Sequence, residues 1–277
     1  MTTSVTANLP SRILCRVCFV IFMLCPMAFA TASLPLETVK NTAEKQHYNW
    51  FQDDQTLALA NEAITFIAES AHHGLEPADY HYQTLVSLSN STVLQEQTQF
   101  NTLMTDALLS LSRDLRVGRW LPSKVDPDWH IQQDEFDAAA FLVHAISSNA
   151  FRFHLDWLPP HTPAYQRLLT SFGLYQRYAR QGGWETIPPT PKLSPGDYHP
   201  HIALIQARLA VEDAFFAITH AIPSNLYDPL MEQAVRRFQQ RYGLKVDGII
   251  GRNTLKTLNI PVETRIAQLK INLERHR

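Results

Sequence analysis

Residues 227–258, YDPLMEQAVRRFQQRYGLKVDGIIGRNTLKTL, predict a helix, a tight turn and a second helix. Asp228 is a good N-cap, and Pro229 suits the first helical position because its missing N–H costs nothing there. Gly243 can end the first helix in a left-handed conformation, and Gly248 can do the same in the turn. Apolar residues recur at helical spacing in both helices: Met231, Ala234, Val235, Phe238 and Tyr242, then Leu255 and Leu258. The stretch therefore predicts a compact helical unit with its own core.

This pattern resembles the small three-helix peptidoglycan-binding domain. The matching residues are Ala234-Val235, Phe238-Gln239, Gly243-Leu244, Val246-Asp247-Gly248, Gly251, Thr254 and Leu258. The resemblance implies peptidoglycan as the partner, with these candidate binding residues: Arg237, Arg241, Asp247, Gly248, Gly251, Arg252 and Thr254. For four of these residues the alternative is a structural role, because they could shape the turn and cap the next helix: Asp247, Gly248, Gly251 and Thr254. The arginines either pair with carboxylates of the peptide stems or face water.

Residues 40–185 predict a larger helical domain. Four amphipathic segments carry apolar residues at helical spacing: Thr56–His73, Phe100–Val117, Asp137–Ser147 and Ala164–Arg180. Within HGLEPADYH (73–81), Pro77 can begin a short helical turn that places Asp79 and Tyr80. No segment alternates apolar and polar residues as a strand does. We therefore expect an all-α fold, in which a helical scaffold domain precedes a three-helix domain that starts with the helix His201–Val211.

Composition suggests the domain boundaries. Residues 187–196, IPPTPKLSPG, hold four prolines and predict a stiff, extended linker. We place the scaffold domain at 31–186 and the three-helix domain at 197–260. Residues 261–277 predict a last helix, Val262–His276, with Ile266, Leu269 and Leu273 on one side and no evident partner for them.

The first thirty residues predict a cleavable signal peptide. Arg12 and Arg16 precede an apolar run from Val17, and Ala28-Phe29-Ala30 places small residues before a cleavage site. An uncleaved anchor is the alternative, which Pro26 late in the run disfavours. We expect no membrane contact after cleavage.

Cysteine content and charge narrow the function. All three cysteines, Cys15, Cys18 and Cys25, lie in the signal segment, so the cleaved chain would have no cysteine nucleophile or thiolate metal site. Without residues 1–30 the chain has 22 basic and 26 acidic residues, a net charge of −4. This charge disfavours nucleic acid as a partner.

Motifs between residues 73 and 275 resemble, in the same order, the N-terminal part of the large scaffold-containing L,D-transpeptidases of Gram-negative bacteria. They are HGLEPADY (73–80), MTDALLSL (104–111), LRVGRW (115–120), PPHTPAYQRL (159–168), GGW (182–184), LSPGD (193–197) and PVETRIAQLKINLER (261–275). In that family the last segment leads into a β-rich catalytic domain whose Ser-His-Gly-Cys segment supplies the nucleophile.

The sequence departs from that family because no cysteine follows Cys25. We therefore expect a non-catalytic periplasmic protein, a truncated relative that binds peptidoglycan and acts in cell-wall organisation without cofactor or metal. A cell-wall synthesis enzyme is a second expected partner. An alternative is a scaffold for a separately encoded catalytic domain.

A zinc-dependent peptidoglycan amidase or carboxypeptidase is the main enzymatic alternative. His72 and Asp79 are seven residues apart, and His199-Pro200-His201 has the His-x-His form, as in zinc D-alanyl-D-alanine carboxypeptidases. However, Leu75 and Pro77 stand where that family needs Gly and Ala, and no three-ligand set is evident.

A glycosidase is the second enzymatic alternative. The neighbouring acids Asp53/Asp54 and Asp134/Glu135/Asp137 could supply its two carboxyl groups. Adjacent acids more often cap helices or face water, so we do not favour it.

Overall fold

The computed structural model describes residues 48–120, 135–219, 222 and 224–277. In these ranges it contains eleven α-helices, two 3-10 turns and no β-strand, which confirms the predicted all-α fold. The helices are α1 (Asp54–Glu69), α2 (Tyr82–Leu88), α3 (Leu94–Val117), α4 (Ala138–Ser147), α5 (Phe151–Asp156), α6 (Pro163–Arg180), α7 (Ile202–Glu212), α8 (Ala214–Thr219), α9 (Pro229–Arg241), α10 (Arg252–Leu258) and α11 (Val262–Arg275). No helix in these ranges has both the length and the apolar character needed to span a membrane. The predicted signal peptide, the cysteines and Asp134 lie outside the described residues.

The first five helices enclose one apolar core. Asp53 caps α1 reciprocally: its carboxylate accepts the Thr56 N–H at 2.8 Å, and the Thr56 hydroxyl accepts the Asp53 N–H at 3.0 Å. Asp137 caps α4 by accepting the N–H groups of Ala139 and Ala140. One acid of each candidate carboxylate set, Asp53 and Asp137, thus caps a helix. The core includes the buried side chains Ala63, Ile67, Leu85, Met104, Leu108, Leu111 and Leu155. Burying a large aliphatic side chain stabilises by about 1.5–3 kcal/mol, so the apolar sides determine how the helices pack.

The motif at residues 73–80 connects α1 to α3 through polar contacts. The predicted turn at Pro77 is a 3-10 turn, Pro77–Tyr80, and it places Tyr80 in the core. The Tyr80 hydroxyl donates to Asp114 at 2.8 Å. Arg119 lies 3.3 Å from the same carboxylate and 2.9 Å from Asp79. The motifs at 73–80 and 115–120 therefore form one structural network.

Helices α7–α10 enclose a second core. It includes the buried residues Ile202, Ile205, Leu209, Phe216, Tyr227, Met231, Val235, Phe238 and Leu258. The three predicted helices are present as α7, α9 and α10, and the short α8 is an addition that the sequence did not indicate. Asp228 caps α9 as predicted, since its carboxylate accepts the Met231 N–H at 2.8 Å.

The proline-rich segment 187–196 packs against this second core. Ile187 and Leu193 are buried in it. Leu193 and Ile250 exchange backbone hydrogen bonds of 3.1 and 3.0 Å. The Asn259 side chain pairs with both backbone groups of Ile187, at 2.9 and 2.8 Å. The segment predicted as a linker is thus fixed along the domain that follows it, and the domain boundaries themselves stay predictions.

Helix α11 packs antiparallel to α6. Leu273 near its end is buried against Tyr165 and Phe172, and Ile266 and Leu269 contact the same cluster. At the other end, Gly183 (φ +68°) lies just after α6 and approaches the first residue of α11. An added Cβ at Gly183 would lie 2.9 Å from Val262 Cγ1. The Glu274 carboxylate accepts the backbone N–H groups of residues 119 and 120. The apolar side of the last helix therefore has its partner in the scaffold domain.

Three short helices and one boundary differ from expectation. α2, α5 and α8 have six or seven residues each, too few to show a helical repeat in the sequence. α3 begins at Leu94, whereas the apolar repeat predicted a start near Phe100. Leu94 is 77% exposed, so the first turn of α3 contributes nothing to the core and gave no apolar signal.

Candidate functional site

The Gln239 side chain organises the turn between α9 and α10. It is buried, and its Nε2 donates to Asp247 Oδ1 at 3.0 Å and to the Ile249 carbonyl at 2.9 Å. Its Oε1 accepts the backbone N–H groups of Asp247 (3.1 Å) and Gly248 (2.9 Å). Thr254 Oγ1 lies 3.3 Å from the same Nε2. One carboxamide thus satisfies most of the turn's polar groups.

Gly248 is required by the same turn. Its φ is +71°, and an added Cβ would lie 3.0 Å from Glu232 and Arg236 side-chain atoms. The Tyr227 hydroxyl donates to its carbonyl at 2.6 Å. Gly251 is the N-cap residue of α10 and makes no side-chain bond there. Asp247, Gly248 and Thr254 therefore have the structural role, and their contact with peptidoglycan stays a prediction.

Arg237 and Arg241 lie on the opposite side of α9. Each is two positions from Gln239, which corresponds to about 200° around an α-helix. Arg237 Nε donates to Asp213 at 2.7 Å. Arg241 Nη1 lies 3.6 Å from Glu212. Both side chains remain partly exposed beside these acidic partners, Arg237 at 37% and Arg241 at 40%.

Glu212 is the centre of a buried polar network. Its carboxylate accepts the hydroxyls of Tyr175 (2.5 Å) and Tyr242 (2.7 Å) and lies 3.2 Å from Arg208 Nη1. Burial acts to raise the pKa of Glu212, but Arg208 and the tyrosine hydroxyls outweigh it and hold the pKa below its usual value. Burial and the adjacent carboxylate raise the pKa of both tyrosines. The network therefore contains a charged Glu212 and neutral tyrosines.

An apolar groove with cationic walls runs between the proline-rich segment and α10. Its volume is about 600 Å³. Lys192, Arg252 and Lys256 line it together with Pro188, Pro189, Pro191 and Leu255. No acidic residue lines the groove, and none of its three cations has an ion-pair partner in the part of the chain that the structure describes. We call it the proline groove.

A second opening lies where α6, α9 and α11 meet. This cleft has a volume of about 440 Å³ and is lined by Tyr175, Tyr178, Glu212, Arg241, Tyr242, Arg265, Gln268, Leu269 and Asn272, with Ser171 and Leu174. We call it the tyrosine cleft. It contains Arg241, whereas the proline groove contains Arg252, and the two openings share no residue. The predicted binding residues are therefore not brought into a single site.

The histidines proposed for zinc have other contacts. The His199 and His201 rings pack edge to face with centroids 4.9 Å apart, and His199 Nδ1 accepts the His201 N–H at 3.2 Å. Asp79 is paired with Arg119. Across the described residues, no three His, Cys, Asp or Glu side chains are grouped to hold a metal ion.

Two family models match the chain. That of the Scaffold domain matches residues 42–171, and that of the peptidoglycan binding domain matches residues 199–258. The chain carries both domains. The curated proteins contain no match to it.

The peptidoglycan-binding domain includes the Gln239 turn, Arg237, Arg241 and Arg252. Most of the tyrosine cleft lies outside both matched ranges, since Tyr175, Tyr178 and the α11 residues fall between or after them. The sequence analysis did not identify Glu212, Tyr175, Arg265, Lys192 or Lys256. Only one signal was available for these residues: Arg252 and Lys256 are four positions apart, the spacing that places two cations on one side of a helix.

Proposed function

We propose that this protein binds peptidoglycan through the proline groove of its peptidoglycan-binding domain and performs no chemistry on the polymer. Lys192, Arg252 and Lys256 would pair with the carboxylates of the peptide stems. The proline rings and Leu255 would contact their alanine methyl groups. The observation that carries this proposal is a cationic groove without an acidic residue, within and beside the matched domain.

Sacculus binding tests this proposal. The double variant Arg252→Gln/Lys256→Gln should lose at least about a hundredfold in affinity for purified sacculi, because each of the two lost charge-assisted hydrogen bonds removes about 1.5–3 kcal/mol. Binding should also weaken as salt is raised.

The matched control is Arg116→Gln/Arg180→Gln, which removes two exposed cations elsewhere and should bind as the wild type does. Equal retention of all three proteins would reject the proline groove. No retention of the wild type would reject peptidoglycan binding altogether.

We propose further that the protein acts in the periplasm, as an organiser of the wall. The charged and apolar segments of residues 1–30 support this, as does the nature of the expected ligand. N-terminal sequencing of the protein from the periplasmic fraction should begin at Thr31. Muropeptides incubated with the protein, with and without zinc, should give an unchanged profile, and any new product would identify an enzyme.

A further inference from the structure

The tyrosine cleft contains more positive than negative charge. Among the described residues that line it, Glu212 is the only acidic one, and Arg241 and Arg265 are the cations. Arg208 lies behind Glu212 and is itself buried. Four charged groups therefore leave a net charge of +2 around an opening that faces solvent.

The single carboxylate is hydrogen-bonded through one oxygen and ion-paired through the other. Glu212 Oε1 accepts two tyrosine hydroxyls, whereas Oε2 makes no hydrogen bond among the described residues and lies 3.2 Å from Arg208 Nη1. Arg241 reaches the same Oε2 only at 3.6 Å, beyond normal hydrogen-bond length. Arg241 consequently retains hydrogen-bonding capacity toward a ligand in the cleft.

Among the described residues, Arg265 is held in place without a carboxylate. Its guanidinium lies 4.2 Å from the centre of the Tyr242 ring, and its Nη groups donate to Gln268 (3.2 Å) and to the Thr257 carbonyl (3.3 Å). Its buried Nε makes no hydrogen bond among the described residues. A planar guanidinium fixed by a ring is well suited to bind a carboxylate.

The remaining walls combine apolar and amide groups. Leu174 and Leu269 provide aliphatic surface, Tyr178 provides a ring, and Gln268 and Asn272 provide amides. Such a site matches a short peptide with small apolar side chains and a free carboxylate better than a fully polar sugar.

We propose that the tyrosine cleft binds a carboxylate of a peptidoglycan stem peptide, with Arg241 and Arg265 as its ligands. This inference rests on the proposed function for the identity of the polymer, but it assigns a second site, to which α6, α7, α9 and α11 contribute. Two sites on one polymer would raise the overall affinity by effective concentration.

Calorimetry with a soluble disaccharide tetrapeptide tests the proposal. The cleft variant Arg241→Gln/Arg265→Gln should lose at least tenfold in affinity for this probe. The proline-groove variant Arg252→Gln/Lys256→Gln should still bind the probe through the cleft. Arg116→Gln/Arg180→Gln serves as the control of equal charge. Circular dichroism and thermal unfolding verify that each variant is folded, and the single variant Arg265→Gln replaces the double variant should that one unfold.

Two further probes test whether the cleft recognises a peptide carboxylate or any anion. The tetrapeptide with amidated carboxylates should bind at least tenfold more weakly than the free acid, and inorganic phosphate should not compete. Competition by phosphate, equal binding of the amidated probe, or unchanged affinity in the cleft variant would overturn the proposal. Loss of sacculus binding in the proline-groove variant, together with unchanged affinity of the cleft variant for the soluble probe, would support the proposed function and overturn the cleft proposal.

Discussion

At the scale of single residues, the buried Gln239 carboxamide determines the shape of the Val246-Asp247-Gly248 turn. The sequence indicated the turn, because Gly248 and Asp247 are turn residues by their own chemistry. The sequence could not identify Gln239 as the side chain that binds the turn, because a glutamine on an amphipathic helix is usually exposed. Only the packed structure shows that this one is buried and fully bonded.

Replacing Gln239 by Ala should destabilise the protein by at least about 2 kcal/mol, because the backbone N–H groups of Asp247 and Gly248 would lose their acceptor in a buried site. Urea unfolding followed by circular dichroism measures the free energy of unfolding. The neighbouring Gln240 is exposed, so Gln240→Ala should change it by no more than about 0.5 kcal/mol. Similar effects of the two substitutions would contradict the role given to Gln239.

At the scale of helices, α11 illustrates what periodicity can and cannot predict. Its apolar side was evident from Ile266, Leu269 and Leu273, and the helix bounds agree with the prediction to one residue. Its partner was not predictable, because α6 lies about ninety residues earlier and nothing in the local pattern specifies a long-range contact. Short helices such as α5 and α8 could not be predicted at all, because six residues show almost no apolar repeat and tertiary packing stabilises the helix.

Leu273→Ala should cost about 2–5 kcal/mol, since the side chain is fully buried between Tyr165 and Phe172. Ile271 lies on the same helix and is 59% exposed, so Ile271→Ala should cost less than about 1 kcal/mol. Thermal unfolding measures both effects. Hydrogen exchange should also show faster exchange of the α11 amides in the first variant only, and equal protection in the two would argue against the packing of α11 on α6.

At the scale of the whole molecule, the region around His73 links the pH to the stability of the fold. His73 lies where α1 ends, and its Nδ1 is 3.0 Å from the Tyr165 hydroxyl of α6. Burial, then the charges of Arg277 and His72, lower its pKa to about 4, against the weaker opposite effect of Asp156. The folded protein therefore favours the neutral imidazole, whereas the unfolded chain takes up a proton near pH 6.5.

The contribution of neutral His73 to the free energy of unfolding is therefore fully present above about pH 6.5. It decreases as the pH falls toward 4, by up to about 3 kcal/mol. Chemical unfolding between pH 4 and pH 8 should show this decline in the wild type and a weaker one in His73→Gln. His144 is exposed and is not among the groups that act on His73, so His144→Gln should keep the wild-type slope. Identical slopes in all three proteins would show that His73 does not cause the decline.

The fold class and both domains followed from the sequence because they depend on local patterns: apolar repeats, caps and turn residues. The tyrosine cleft did not follow, since its walls come from α6, α7, α9 and α11, which are distant in the chain. Glu212 illustrates the reason. A glutamate at the end of a helix gives no sign that two tyrosines and Arg208 surround it.

The packing of α11 beside α6 has a mechanical consequence. The chain enters the peptidoglycan-binding domain after α6 and leaves it just before α11, and the two crossings are joined where Trp184 Nε1 donates to the Ile260 carbonyl at 3.1 Å. Tension from a bound polymer would therefore be divided between two covalent connections that lead into adjacent antiparallel helices. A domain on one flexible tether can swivel, whereas this domain is held at two neighbouring points and again where Tyr175 of α6 donates to Glu212, which resists rotation about the line between those points.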